Sequence, residues 1–129
     1  MIKKGRYCTF DSKTGIKKYK EKKYCDIAYN AQKEAYEIGC APNVVKKIDD
    51  YSYVTEIADT SFFDKYMKEK TDCNVIFTEL SEKLFPIFKK YNMLGPKNLI
   101  DIHSNNLGIY KNKVVMLDFL SYINNKKES

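Results

Sequence analysis

Tryptophan is missing from this sequence, and histidine occurs once, at His103. Cys8, Cys25, Cys40 and Cys73 form no Cys-x-x-Cys pair and stand beside no histidine, which argues against zinc and fits a reduced, cytoplasmic setting. Glycine is scarce, with five in the chain, and no Gly-x-Gly-x-x-Gly occurs, so no glycine-rich loop is available to cradle phosphates. No apolar run reaches the length of a membrane span, and the opening Met1-Ile2-Lys3-Lys4-Gly5-Arg6 lacks the apolar stretch of a signal peptide. No repeat is visible. What remains is a chain of 129 residues with the tyrosine, phenylalanine and aliphatic content of one folded domain.

The net charge of +6 is unevenly placed, because residues 1–23 hold nine Lys or Arg against two acids, a local +7 that leaves the remainder at −1. Such a segment suits an acidic partner, nucleotide phosphates or nucleic acid, and equally a solvated hairpin in a lysine-rich chain. No stacking platform or recognised binding motif accompanies the charge, which argues against nucleic acid.

Near the C-terminal end, Leu107 to Tyr110 and Val114 to Leu117 read as two strands joined by the turn Lys111-Asn112-Lys113. Asp101, His103 and Asn106 precede this hairpin, and Asp118-Phe119 follows it. Because a hairpin brings its ends together, these polar side chains are expected to converge at one sheet edge. Carboxylate and amide oxygens gathered there suit Mg²⁺, which prefers a few protein oxygens plus phosphate. The plain alternative is an ordinary hairpin with polar loop residues.

The spacing of Asp101 and Asn106, followed by a hairpin ending in Asp118-Phe119, resembles the catalytic segment of the protein-kinase-like superfamily, which includes aminoglycoside and choline phosphotransferases. Leu99 stands where that family usually has histidine, and Leu120 replaces the glycine after Asp-Phe. The resemblance implies an α+β, trimmed kinase-like fold. It comprises a small antiparallel N-lobe sheet with one helix, and a short helical C-lobe remnant carrying the catalytic hairpin. The expected division within a single domain is residues 1–55 for the N-lobe, 56–59 for the hinge, 60–119 for the C-lobe remnant and 120–129 for a charged tail.

The remaining elements follow that order. Tyr7 to Phe10 and Ile16 to Lys20 read as strands around the loop Asp11 to Gly15. They would be the family's second and third strands, since its first strand and glycine loop need more chain than the first six residues offer. The third strand of that family carries a phosphate-binding lysine. Lys18, which shares a strand face with Ile16, is the candidate, with Lys17 and Lys20 open. A helix is expected over Asp26 to Ile38, from Ile27, Ala31, Ala35 and Ile38, with Gly39 as its stop. Glu34 is its candidate for pairing with the lysine, although family spacing counted back from Pro42 points nearer to Gln32. Ala41 to Val45 would enter the fourth strand, Lys46 to Asp50 would turn, and Tyr51 to Ala58 would be a strand running into the hinge. There the carbonyl of Glu56 and the amide of Ala58 would meet adenine. Thr60-Ser61 would cap a short helix through Phe62, Tyr66 and Met67. A longer helix is expected from Cys73 to Tyr91, with Phe77, Leu80, Leu84, Phe88 and Tyr91 on one stripe, Pro86 kinking or breaking it, and Gly95-Pro96 ending it.

The resemblance implies ATP and Mg²⁺ as ligands. Asp101 would orient the attacking hydroxyl, His103 would meet the γ-phosphate, and Asn106 and Asp118 would hold the metal. A Mg·ATP-dependent phosphotransferase acting on itself or on a protein partner is one expectation. A catalytically weak pseudokinase that binds and occupies a protein partner is the other, motivated by the missing glycine loop, Leu120 and the short C-lobe. A small-molecule kinase ranks third, because little substrate lobe remains. Trimmed kinase-like proteins of phages, large viruses or bacterial pathogens offer an analogy for such a module. Neither partner identity nor oligomeric state is readable from the residues.

Overall fold

In the computed structural model, residues 2–4, 7–60, 73–95, 97, 100 and 107–119 are described. The expected helix over Phe62–Met67, the residues Asp101, His103 and Asn106, and the tail lie outside them.

Five antiparallel strands form the main sheet in the order β1-β2-β3-β5-β4. β1 is Ile2–Lys4, β2 Cys8–Asp11 and β3 Ile16–Tyr19. α1, Lys22–Glu37, leads from β3 to the hairpin of β4, Val44–Asp49, and β5, Ser52–Thr55. α2 is Cys73–Lys90, and β6, Leu107–Tyr110, pairs with β7, Lys113–Met116, as a separate two-stranded sheet.

The β2–β3 turn is written in polar and glycine chemistry. Asp11 Oδ1 accepts from the Lys13 amide at 2.9 Å, and the Gly15 amide donates to the Asp11 carbonyl at 2.8 Å. Gly15, at φ +78°, then accepts from the Thr55 amide at 2.9 Å, so the turn is bonded to the far end of β5. In β3 the inward set is Lys17 and Tyr19, while Lys18 is exposed.

Four expectations are corrected by this architecture. A strand does fit within the first six residues: Ile2, Lys3 and Lys4 pair with Asp11, Phe10 and Thr9. The Lys46 to Asp50 segment is strand as far as Asp49, because an edge strand needs partners on one side only and tolerates exposed lysines. Two register irregularities within it also blunt the edge. At the other end of that hairpin, β5 stops at Thr55, short of Ala58. α1 begins at Lys22 and buries Cys25, Ala28, Ala31, Gln32 and Ala35, whereas Ile38 is exposed. Small side chains on that stripe let the helix axis approach the sheet closely.

Both helices among the described residues end on a left-handed residue. Gly39 (φ +78°) follows α1, with its amide bonded to the Tyr36 carbonyl and the Cys40 amide to Ala35, the paired bonds of a Schellman motif. Asn92 (φ 57°) plays the same part after α2, where the Met93 amide reaches the Phe88 carbonyl at 2.8 Å. α2 therefore stops before Gly95-Pro96. It also runs through Pro86, an exposed position near its last turn that has no N–H to offer the Glu82 carbonyl.

The β6–β7 turn is shorter than expected. Lys113 pairs with Tyr110, leaving Lys111 (φ 50°) and Asn112 (φ 66°) as a two-residue type I′ turn. Asn112→Gly should therefore raise stability by about 0.5–1 kcal/mol, read as a higher urea midpoint with an unchanged slope.

One core joins sheet, helices and hairpin: Tyr53, Ala28 and Cys25 on one side continue into Leu84, Phe88, Leu107, Met116 and Phe119. Phe88 and Phe119 meet with ring centroids 5.8 Å apart. Backbone bonds fix the hairpin against both neighbours, Met116 N to Cys40 O at 2.9 Å and a bridge between Asp59 and Ile109. No helix among the described residues is long and apolar enough to cross a membrane.

Surface carboxylates add a pH-dependent contribution. Hydrogen bonds from Lys47 and then Lys22 hold the Asp26 carboxyl below its usual range, and the Tyr51 amide followed by the Ser52 hydroxyl does the same for Asp49. Because their folded pKa values lie below the unfolded ones, their contribution is present above about pH 4 and is lost as pH falls further. Urea midpoints should decline below that pH, and less steeply in Asp26→Asn.

Candidate functional site

Lys17 is the centre of the polar interior. Its neighbours across the sheet are Phe10 on β2 and Tyr53 on β5, whose rings lie 5.9 Å and 5.8 Å from Nζ. These rings and the sheet leave the side chain 6% exposed. Nζ donates to Gln32 Oε1 on α1 at 3.1 Å and to the Leu117 carbonyl, just past β7, at 2.6 Å. Burial pushes the Lys17 pKa down, and the Asp118 carboxylate opposes that most strongly.

Gln32 uses its whole amide. Oε1 accepts from Lys17 and from the Tyr53 hydroxyl at 2.8 Å, while Nε2 donates to the Pro42 carbonyl at 2.9 Å and to Thr55 Oγ1 at 2.6 Å. Tyr19 stacks on Tyr53 with centroids 5.9 Å apart, and their hydroxyls stand 3.5 Å apart. Since Tyr53 gives its proton to Gln32, Tyr19 is the donor of that pair. Burial drives both phenol pKa values up. Cys8, half-buried and in register with Tyr19, is likewise raised by burial and then by Asp118. Among the described residues no buried side-chain nitrogen or oxygen lacks a partner, as an interior this polar requires.

The structure rearranges the lysine and glutamate assignments. Lys18 lies in the row Thr9–Lys18–Ser52 on the opposite sheet face, so Lys17 is the inward lysine. Strand parity decides this: Gly15, not Ile16, is the buried residue that shares a face with the inward lysine. Glu34 is turned to α2, where Lys90 donates to its two oxygens at 3.0 Å and 3.1 Å and the Tyr91 hydroxyl bonds the second. The Tyr91 bond is the larger reason that its carboxyl titrates below the usual range. Gln32, the alternative from Pro42 spacing, faces Lys17. The Leu117 carbonyl and Tyr53 hydroxyl were invisible as site groups, since a backbone oxygen has no sequence signature and a tyrosine in a strand reads as core.

The linker after β5 is held at several points. The Glu56 amide donates to Asn43 O at 2.9 Å, its carbonyl lies 3.0 Å from Thr55 Oγ1, and its carboxylate accepts from the Tyr110 hydroxyl. Ala58 is buried with its Cβ close to Gly108. Asp118 is half-buried one residue beyond the carbonyl that Lys17 grips. Among the described residues no three His, Cys, Asp or Glu side chains cluster as a metal site. Of the two residues expected to hold Mg²⁺, Asp118 lies among the described residues and Asn106 outside them.

The chain is thus an α+β protein whose antiparallel sheet, crossed by one helix, holds a buried lysine next to a hairpin-end aspartate. Compared with protein-family models, curated proteins and solved structures, it matches none.

Proposed function

We propose that the chain binds Mg·ATP and transfers phosphate in the manner of a protein kinase, to itself or to a protein that completes the substrate site. The observation that carries this reading is the meeting of Lys17, Gln32 and the segment Leu117-Asp118. A strand lysine steadied by the following helix, facing an aspartate at the end of a hairpin, is the phosphate-handling arrangement of that superfamily. The strand order supports it as well, with two strands before the lysine strand, one helix after it, and a hairpin leading into the linker.

In this reading Lys17 binds the phosphates and Asp118, with Asn106, positions the metal. Mg²⁺, when bound, offsets charge on the phosphate oxygens. Asp101 takes the proton of the attacking hydroxyl as its oxygen bonds the γ-phosphorus, and the bond to the β-phosphate oxygen breaks with its electron pair leaving on ADP. His103 donates to the γ-phosphate. Purified protein with Mg·[γ-³²P]ATP should label itself or a lysate protein, and both Asp101→Asn and Lys17→Met should remove the label. Equal labelling in all three would reject this reading.

Gln32 favours a second reading, a binding pseudokinase, because it supplies an amide where active members pair their lysine with glutamate. Under that reading Asp101→Asn would leave partner binding and the biological effect intact, whereas labelling dependent on Asp101 would rule it out.

A further inference from the structure

The identity of residue 32 is enforced by its neighbours. The Pro42 carbonyl can only accept, and it lies 2.9 Å from Nε2, so a carboxylate here would set two acceptor oxygens against each other. On the other side, Lys17 and Tyr53 both donate to Oε1. Residue 32 must therefore present one donor end and one acceptor end, which is what a neutral amide does.

That neutrality changes the charge of the site. Lys17 bonds the carbonyl of Leu117, the residue before Asp118, so one positive and one negative group lie close in the chain path, with Gln32 contributing no charge. A glutamate at 32 would add a second negative charge beside the lysine, and a polyanion would then depend on a cation to offset it. We propose that this site accepts a nucleotide polyphosphate with little dependence on a divalent cation, because Gln32 holds Lys17 without neutralising it. The proposal rests on the nucleotide-binding reading above.

The geometry supplies the route. Lys17 has three N–H donors, and Gln32 and Leu117 take two of them among the described residues. A phosphate oxygen is a stronger acceptor for a charged donor than the Leu117 carbonyl, so the nucleotide would share or replace that bond while Gln32 keeps the ammonium in place. Gln32 is a positioning residue in this account, acting through Lys17.

The test is ATP affinity of the full chain, measured by thermal shift and calorimetry in Mg²⁺ and in EDTA. The wild type should bind in EDTA within about tenfold of its affinity in Mg²⁺, and Gln32→Glu should widen that ratio to about a hundredfold. Asp118→Asn, which removes a negative charge without touching the Gln32 network, should bind ATP in EDTA at least as tightly as wild type. It serves also if Gln32→Glu does not fold. Wild-type binding that needs Mg²⁺ by more than a hundredfold would overturn the inference and leave the nucleotide reading standing, as would loss of EDTA binding in Asp118→Asn. No binding in either buffer would remove the nucleotide reading itself, and this inference with it.

Discussion

Replacing Gln32 with leucine should cost about 3–5 kcal/mol, a loss of roughly 2 M in the urea midpoint of a domain this size. The side chain is 1% exposed and serves four partners, so leucine would take from the Pro42 carbonyl its amide donor and from the Tyr53 proton its acceptor in the interior, while Thr55 Oγ1 keeps the Glu56 carbonyl. It would also strip the Lys17 ammonium of one acceptor while the other, Leu117 O, remains. Breaking a buried charged network from one side is costly, whereas replacing the charge itself with an apolar group of similar length is often close to neutral. Lys17→Met should accordingly cost under about 1.5 kcal/mol, and Gln32→Leu should cost at least about 1 kcal/mol less in a Lys17→Met background than alone. A double-mutant cycle of urea unfolding reads both. If the two changes simply add, Gln32 does not hold the lysine in solution and the site is organised some other way.

How far this interior could be read beforehand depended on which residues carry contrast. The C-terminal hairpin stood out because Leu107 to Tyr110 and Val114 to Leu117 are apolar runs around a polar turn; the structure pairs Leu107 with Met116 and Tyr110 with Lys113, so the second strand sits one residue earlier. The stripe Leu80, Leu84, Phe88 was equally plain at helical spacing, and all three are buried. β3 had no such contrast. Lys17 and Lys18 are chemically identical, so their faces could be told apart only by neighbours. The informative neighbour is Gly15, which has no side chain to register as apolar. Ile16 drew the parity the wrong way because it is only half-buried. A similar dilution hid the first turn of α1, where Lys22 and Lys23 carry no apolar signal, and β4, whose lysines look like a turn but lie on a paired edge. The choice of Glu34 over Gln32 shows the same limit from the chemical side. A glutamate is the expected partner for a lysine, yet Glu34 finds Lys90 and Tyr91, and the amide meets the buried ammonium.

The site also depends on the contact that joins the β2–β3 turn to the end of β5. Gly15→Ala should cost about 3–4 kcal/mol, lowering the melting temperature by roughly 10–15 °C. Two effects add at this position. At φ +78° any side chain is strained, and an added Cβ would lie 2.3 Å from the Thr55 carbonyl oxygen, a backbone atom that cannot rotate aside. Relieving that overlap means separating the start of β3 from β5 and losing the bond from Thr55 N to Gly15 O. Thr55 Oγ1 is one of the Gln32 partners, and Lys17 stands two residues from Gly15, so under the proposed nucleotide reading ATP affinity should fall along with stability. Gly39→Ala is the internal control. It has the same φ of +78°, but its nearest neighbour is the end of the flexible Lys113 side chain at 3.4 Å, so only the strain of about 1 kcal/mol applies. The difference between the two variants isolates the overlap from the backbone strain. Equal losses would mean that the sheet yields at Thr55 without cost, and the close joining of the turn, β5 and the lysine strand would then not be what holds this site in shape.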